Sequence, residues 1–122
     1  MSMPDELFYP MGMVTCIMVF RAHVPHNKEV ESWFGYWKDD GFTKITNEGR
    51  IDKYNKYDEI RKMWLDDFRN KRDVAGRCIK QKVGDEDECC AEAYMKTDFS
   101  NLKEDDFEKE IKKFLLFKEL WS

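Results

Sequence analysis

Glycine, proline and histidine are scarce in this sequence, and each scarcity closes off a class of function. Six glycines never fall as Gly-x-Gly, so there is no Gly-rich loop of the kind whose backbone closely approaches a nucleotide ligand. The three prolines, Pro4, Pro10 and Pro25, are never adjacent. His23 and His26 flank Pro25 in an expected turn, where two imidazoles read as loop polar groups rather than metal ligands. Cys16, Cys78, Cys89 and Cys90 contain no Cys-x-x-Cys, so neither a zinc site nor a dithiol redox motif has its spacing, and reduced thiols are expected. No stretch approaches the roughly 20 apolar residues of a membrane span, and Asp5 and Glu6 stand where a signal peptide would be basic. A cytoplasmic chain with no membrane partner is expected. Basic charge is also short: 21 Lys and Arg against 25 Asp and Glu give a net charge of -4. That balance leaves no broad cationic field to hold a phosphate backbone, and argues against tight, independent nucleic-acid binding.

What the chain does have is aromatic mass, with nine Phe, five Tyr and four Trp among 122 residues. Rings of that size dominate a small core, which argues for one folded domain over residues 1–122 rather than disorder. Residues 14–20 (Val-Thr-Cys-Ile-Met-Val-Phe) form a short apolar, β-branched run bounded by Pro10, Gly12 and Arg21, and predict a strand buried on both faces. After the turn at 25–27, residues 30–37 alternate Val30, Ser32, Phe34 and Tyr36 with Glu31, Trp33, Gly35 and Trp37, and predict a second strand antiparallel to the first. Asp39-Asp40-Gly41 signals a turn, and 43–52 is a polar loop with at most an edge strand.

Helical spacing begins after Tyr54. Asn55 is a candidate cap, Asp58 lies near the positive helix end, and Tyr57, Ile60, Trp64 and Phe68 recur on one face of a helix running to about Asn70. Residues 71–84 fit a short strand or an irregular connection equally well. Residues 85–95 fit one or two helical turns capped by Asp85. The last segment, 102–119, is the clearest helix. Asn101 and Glu104 have capping-box spacing, acids crowd its first turn, and Phe107, Ile111, Phe114, Leu115 and Leu120 form an apolar stripe expected to join the core. The expected fold class is α+β: an antiparallel β-hairpin packed with two or three α-helices. Residues 1–42 carry the hairpin and 43–122 are mainly helical.

The run Leu7-Phe8-Tyr9-Pro10-Met11-Gly12-Met13-Val14-Thr15-Cys16-Ile17-Met18-Val19-Phe20 resembles a segment late in the catalytic domain of N6-adenine DNA methyltransferases, the modification subunits of type I restriction systems and their relatives. There, too, an aromatic pair, a Gly-containing turn, Thr-Cys-Ile and an apolar strand follow in order. Met3-Pro4-Asp5 is similar to that family's Leu-Pro-Asp lead-in, and Trp33-Phe34-Gly35-Tyr36-Trp37-Lys38-Asp39-Asp40-Gly41-Phe42 to its second hairpin strand and Asp-Gly turn. Arg50, Asp58-Glu59-Ile60, Trp64 and then Glu92-Ala93-Tyr94 continue the likeness more weakly. Family members commonly carry Asn-Thr where this chain has Pro10-Met11.

The resemblance implies a hairpin that is the sheet-edge remnant of a Rossmann-like methyltransferase. It also implies that Phe8 is the ring that stacks an adenine flipped out of the duplex, with Tyr9 beside it. A base that undergoes chemistry must leave the stack, and an aromatic face that receives it is worth roughly 1–3 kcal/mol. The family binds S-adenosylmethionine on a Gly-rich loop and holds the adenine amino group with an Asn/Asp-Pro-Pro-aromatic motif. Neither motif occurs here, so this chain alone is expected to bind no cofactor and carry no catalytic residue. DNA and S-adenosylmethionine belong to the intact enzyme, and the expected partners are the remainder of a methyltransferase or its restriction-modification subunits. A sheet remnant also leaves an edge and an apolar face to be covered, by a second copy in a homodimer or by compact folding of one chain. A non-enzymatic protein–protein interaction module, using the terminal helix or the Trp33 and Trp37 face, is the alternative. A thiol enzyme at Cys89 or Cys90 is disfavoured, because Asp85 to Glu88 and Glu92 surround both with negative charge.

Overall fold

The computed structural model describes residues 1–121. Its main sheet pairs two short strands far apart in sequence, β1 (Ser32–Gly35) and β4 (Cys78–Gln81), antiparallel, with Phe34 opposite Ile79 and Gly35 opposite Cys78. Large apolar residues at the centre of this ladder explain the pairing. Phe34 and Ile79 are buried together with Val83 and Ala91, and Tyr36, Tyr94 and Met95 close the cluster. The Phe34 and Tyr94 rings lie 5.3 Å apart. Residues 71–84, which fit strand or loop equally well by pattern, thus contain a strand. The 85–95 stretch holds only one 3-10 turn, Ala91–Ala93, and Asp85 does not cap it: it pairs with Lys28 at 2.6 Å.

The expected partner of β1 sits elsewhere. Residues 14–20 form no strand, only an isolated bridge from Cys16 to Ser2, and their side chains other than half-buried Thr15 are exposed rather than doubly buried, Val19 at 69% and Phe20 at 80%. They are held by Met1–Met3: Met3 N–H donates to the Thr15 carbonyl at 3.0 Å, Ile17 N–H to the Met1 carbonyl at 2.8 Å, and the terminal ammonium to the Ile17 carbonyl at 2.7 Å. Ser2 in turn donates to Gly35 and accepts from Trp37, both at 2.8 Å. The first three residues therefore lie between the 14–20 run and the β1 chain, and the predicted hairpin does not form. One side of β1 is taken by β4, and on the other Ser2 already bonds the chain at Gly35 and Trp37, where the hairpin would have to pair. Gly35 permits the close crossing, since a Cβ there would come within 2.8 Å of the Trp33 ring and 3.0 Å of Met1.

Helix α1 (Tyr57–Asn70) has the expected extent. Its cap is not Asn55, which takes a left-handed conformation (φ 53°) just ahead of it. Asp52 does the capping from further back, accepting from Lys56 N–H at 2.8 Å and Tyr57 N–H at 3.2 Å. The C-terminus ends in left-handed Lys71. The apolar face of α1 docks on β1 through a ladder of rings. Trp64 stacks parallel on Trp37 at 5.1 Å, Trp37 meets Trp33 edge-on at 6.2 Å, and Trp33 meets Phe68 at 5.6 Å. Beneath them Asp67, only 1% exposed, accepts from Arg77 Nη2 at 2.7 Å and Nε at 2.9 Å, which ties α1 to the residue just before β4.

The polar stretch 43–52 is more ordered than a loop: β2 (Thr43–Ile45) and β3 (Gly49–Ile51) form a small antiparallel hairpin. The Asp39-Asp40-Gly41 turn forms as expected, with Asp39 accepting from Gly41 N–H at 2.9 Å and Gly41 at φ 79°. Helix α2 (Glu104–Trp121) also forms, but it covers nothing: none of its residues is buried. Its start is marked by Asp106, which accepts from Lys103 N–H at 3.0 Å, not by Asn101. The two small cores are closed without it, one by Tyr94 and Met95 and the other by the rings of α1, so the stripe of α2 joins neither of them. Among the described residues the architecture is α+β, with two two-stranded antiparallel sheets and two α-helices.

Candidate functional site

Phe8 and Tyr9 sit in consecutive turns over residues 5–10, where the chain reverses and Met11 N–H donates to the Phe8 carbonyl at 2.9 Å. The two rings have different surroundings. Phe8 projects into solvent with 58% exposure, as a ring that receives a base must. Tyr9, 39% exposed, lies against the β2–β3 hairpin: Lys44 Nζ is 5.2 Å from its ring centroid, and the space a Cβ on Gly49 would take is 3.6 Å from its ring edge. Lys44 is anchored by Glu6 at 2.9 Å, and that hydrogen bond and charge raise its pKa. Tyr9 thus fastens the turn to the hairpin and leaves Phe8 as the free face.

Beside this turn lies a shallow polar cleft of about 250 Å³ between Pro4–Glu6 and the β2–β3 hairpin. Its cations are paired. Lys38 donates to Asp5 at 2.7 Å and sits 3.5 Å from Glu92, and the Asp5 hydrogen bond raises its pKa. Arg50 Nη2 reaches both oxygens of nearly buried Asp40, at 2.6 and 2.8 Å, with its guanidinium carbon 5.4 Å from the Phe42 ring centroid. The sequence marks Asp40 only as a turn residue and Arg50 only by resemblance. No local spacing announces their pairing, which forms because the hairpin folds back ten residues later. With each of these cations matched to a carboxylate, the cleft presents little net field to an anion. What it supplies is rigidity to the ground on which the Phe8 turn stands.

On the other side of Met1–Met3 a larger apolar groove, about 940 Å³, runs along residues 14–20. Phe34, Val83 and Ala91 line its floor, and Phe20 and Val30 its open rim. Met1 contributes the terminal ammonium, whose pKa is lowered by burial against the opposing pull of Cys16, Glu92 and Cys89. At the far end Lys71 Nζ sits 3.5 Å from the Phe68 ring centroid, and burial lowers its pKa as well. Cys16, Cys89 and Cys90 all face this groove, whereas Cys78 is buried and its thiol pKa is pushed up by that burial. His26 is fixed to the Val83 carbonyl at 2.7 Å.

Comparisons with family models, with curated proteins and with solved structures find no match. Among the described residues no helix is long and apolar enough to cross a membrane, and no three His, Cys, Asp or Glu side chains are grouped so that they could hold a metal ion. The site therefore rests on its own geometry: an exposed ring on a braced turn, next to an uncovered apolar run.

Proposed function

We propose that this chain is the C-terminal part, or a truncated relative, of a restriction-modification DNA adenine methyltransferase, catalytically incomplete alone, that works when joined to the remainder of such an enzyme. The observation that carries the reading is the state of residues 14–20. Apolar residues that in an intact Rossmann-like sheet would be covered on both faces stand open here beside a groove of about 940 Å³. A neighbouring strand and helix from the remainder of the enzyme would cover them. Phe8 would then stand at the mouth of the catalytic cleft, where its free face stacks the flipped adenine, while Tyr9 holds the turn. S-adenosylmethionine and the amino-group motif would come from the missing portion, and DNA would be bound only by the whole.

The test is complementation. A methyltransferase truncated just before its Leu-Pro-Asp segment is supplied with this chain, and N6-methyladenine is measured. Restored methylation that falls about tenfold or more with Phe8→Ala, with unchanged association of the two pieces, is expected. Failure to associate refutes the reading. Restoration indifferent to Phe8 removes its stacking role. A non-enzymatic interaction module is the second reading, favoured by the exposure of α2, and it predicts association with proteins unrelated to methyltransferases.

A further inference from the structure

Helix α2 carries a pattern that specifies a partner. With about 100° of turn per residue, Phe107, Ile111, Phe114, Phe117 and Trp121 fall on one stripe centred on Phe114, and all five are exposed. Two charged residues interrupt that stripe, Glu110 and Lys118. They are opposite in sign, and each lies four positions from Phe114, one on either side. Such an arrangement is self-complementary under a twofold axis. If a second α2 is laid antiparallel with the two Phe114 rings at the crossing, each Glu110 faces the Lys118 of the other copy, Phe107 faces Trp121, and Ile111 faces Phe117. Within one chain Glu110 pairs with Lys113, but both side chains are about 70% exposed, so that contact exchanges for another at little cost. A parallel pairing would instead set Glu110 on Glu110 and Lys118 on Lys118. The ends of the helix reinforce the choice, since Glu104, Asp105 and Asp106 crowd the first turn and Lys118 lies in the last. Antiparallel pairing places acid beside base and opposes the two helix dipoles.

We propose that α2 is a homodimerisation helix, pairing antiparallel with α2 of a second copy of this chain about Phe114, with two Glu110–Lys118 contacts setting its direction. The interface is isologous, as a closed dimer requires. It is separate from the groove at residues 14–20, so dimerisation and the completion of a methyltransferase are independent properties. Leu116 and Leu120 fall outside the stripe and outside this contact.

The full chain is tested by sedimentation equilibrium at tens of micromolar, where a dimer is expected. Phe114→Asp should yield monomer, raising the dimer dissociation constant by about 100-fold or more, while, with Trp121 replaced by Phe so that it does not emit, the fluorescence of the Trp37–Trp64 core stays unchanged because α2 covers no part of it. Direction is read from charge. Lys118→Glu and Glu110→Lys should each weaken the dimer roughly tenfold, since two symmetric attractions become repulsions at once, and the double exchange E110K/K118E should restore it. A monomeric wild type at these concentrations overturns the proposal. So does a dimer insensitive to Phe114→Asp, or a double exchange no better than the single ones, which would mean the helices do not meet antiparallel.

Discussion

Arg77→Met should be among the most destabilising single changes in this chain, although Arg77 itself is partly exposed. The reason lies in what it leaves behind. Asp67 is 1% exposed, and its carboxylate accepts two hydrogen bonds from the Arg77 guanidinium, at 2.7 and 2.9 Å. Removing one partner of a buried pair typically costs about 3–5 kcal/mol, because the remaining charge keeps its desolvation penalty without compensation. Two features move the expected value to about 3 kcal/mol, the low end of that range. The Arg77 side chain is 37% exposed, so its position admits water once vacated, and Arg72 Nε lies 4.0 Å from the same carboxylate as a weaker substitute. For a chain of this length that corresponds to a fall of roughly 10–15 °C in Tm. Urea unfolding followed by tryptophan fluorescence measures it, since Trp64 lies in the same helix as Asp67. The double variant Asp67→Leu/Arg77→Met separates pair energetics from packing, because replacing both charges by apolar groups should recover most of the loss. A single variant within about 1 kcal/mol of wild type, or a double variant worse than the single, would refute this account of how α1 is tied to β4.

Trp64→Ala should cost about 3–5 kcal/mol by removing the ring stacked 5.1 Å from Trp37, and near-UV circular dichroism should lose the signal of that coupled pair. Acid should loosen the attachment of the N-terminus. Burial pushes the Glu92 pKa up, but hydrogen bonds from Ser2 Oγ (2.7 Å) and Lys38, with the Lys38 charge, outweigh it and leave the group below the ordinary glutamate value. A carboxyl lowered by folding stabilises the native state above its unfolded pKa, roughly 4.3, and that contribution is lost as pH falls through the lower folded value. Ser2→Ala should therefore reduce stability at pH 7 while flattening its decline below about pH 4.3. Equal acid sensitivity in the two proteins, measured by chemical denaturation across pH 3–7, would count against the contact.

Elements whose stabilising bonds close within a few residues are legible in the amino-acid order. The extent of α1 follows from the spacing of Tyr57, Ile60, Trp64 and Phe68. The turn at Gly41 follows from Asp39 ahead of it, and α2 from its acidic start and apolar repeat. The cap of α1 lies three residues before the expected one, because the chain bends at left-handed Asn55 and brings Asp52 to the first backbone N–H groups of the helix. Phe8 and Tyr9 stand out only through a resemblance. Their division of labour depends on Lys44 and Gly49 arriving alongside Tyr9, which no local pattern encodes.

Residue pattern is thus sufficient to specify the two long helices, where the chain turns at Gly41, and that an aromatic pair precedes an apolar run. What those segments meet is a property of the folded whole. An apolar run such as 14–20 offers the same local pattern whether it becomes a core strand or, as here, an exposed segment without strand structure. Its place is settled by competition for the two hydrogen-bonding sides of β1, which β4 and Ser2 occupy. In the same way the period of α2 dictates a stripe but not its cover, and Asp67 counts as a helix-surface acid until Arg77 comes beside it. Backbone bonds along a helix are local and additive, whereas strand partners, covered faces and buried ion pairs are chosen among distant alternatives by the whole chain at once.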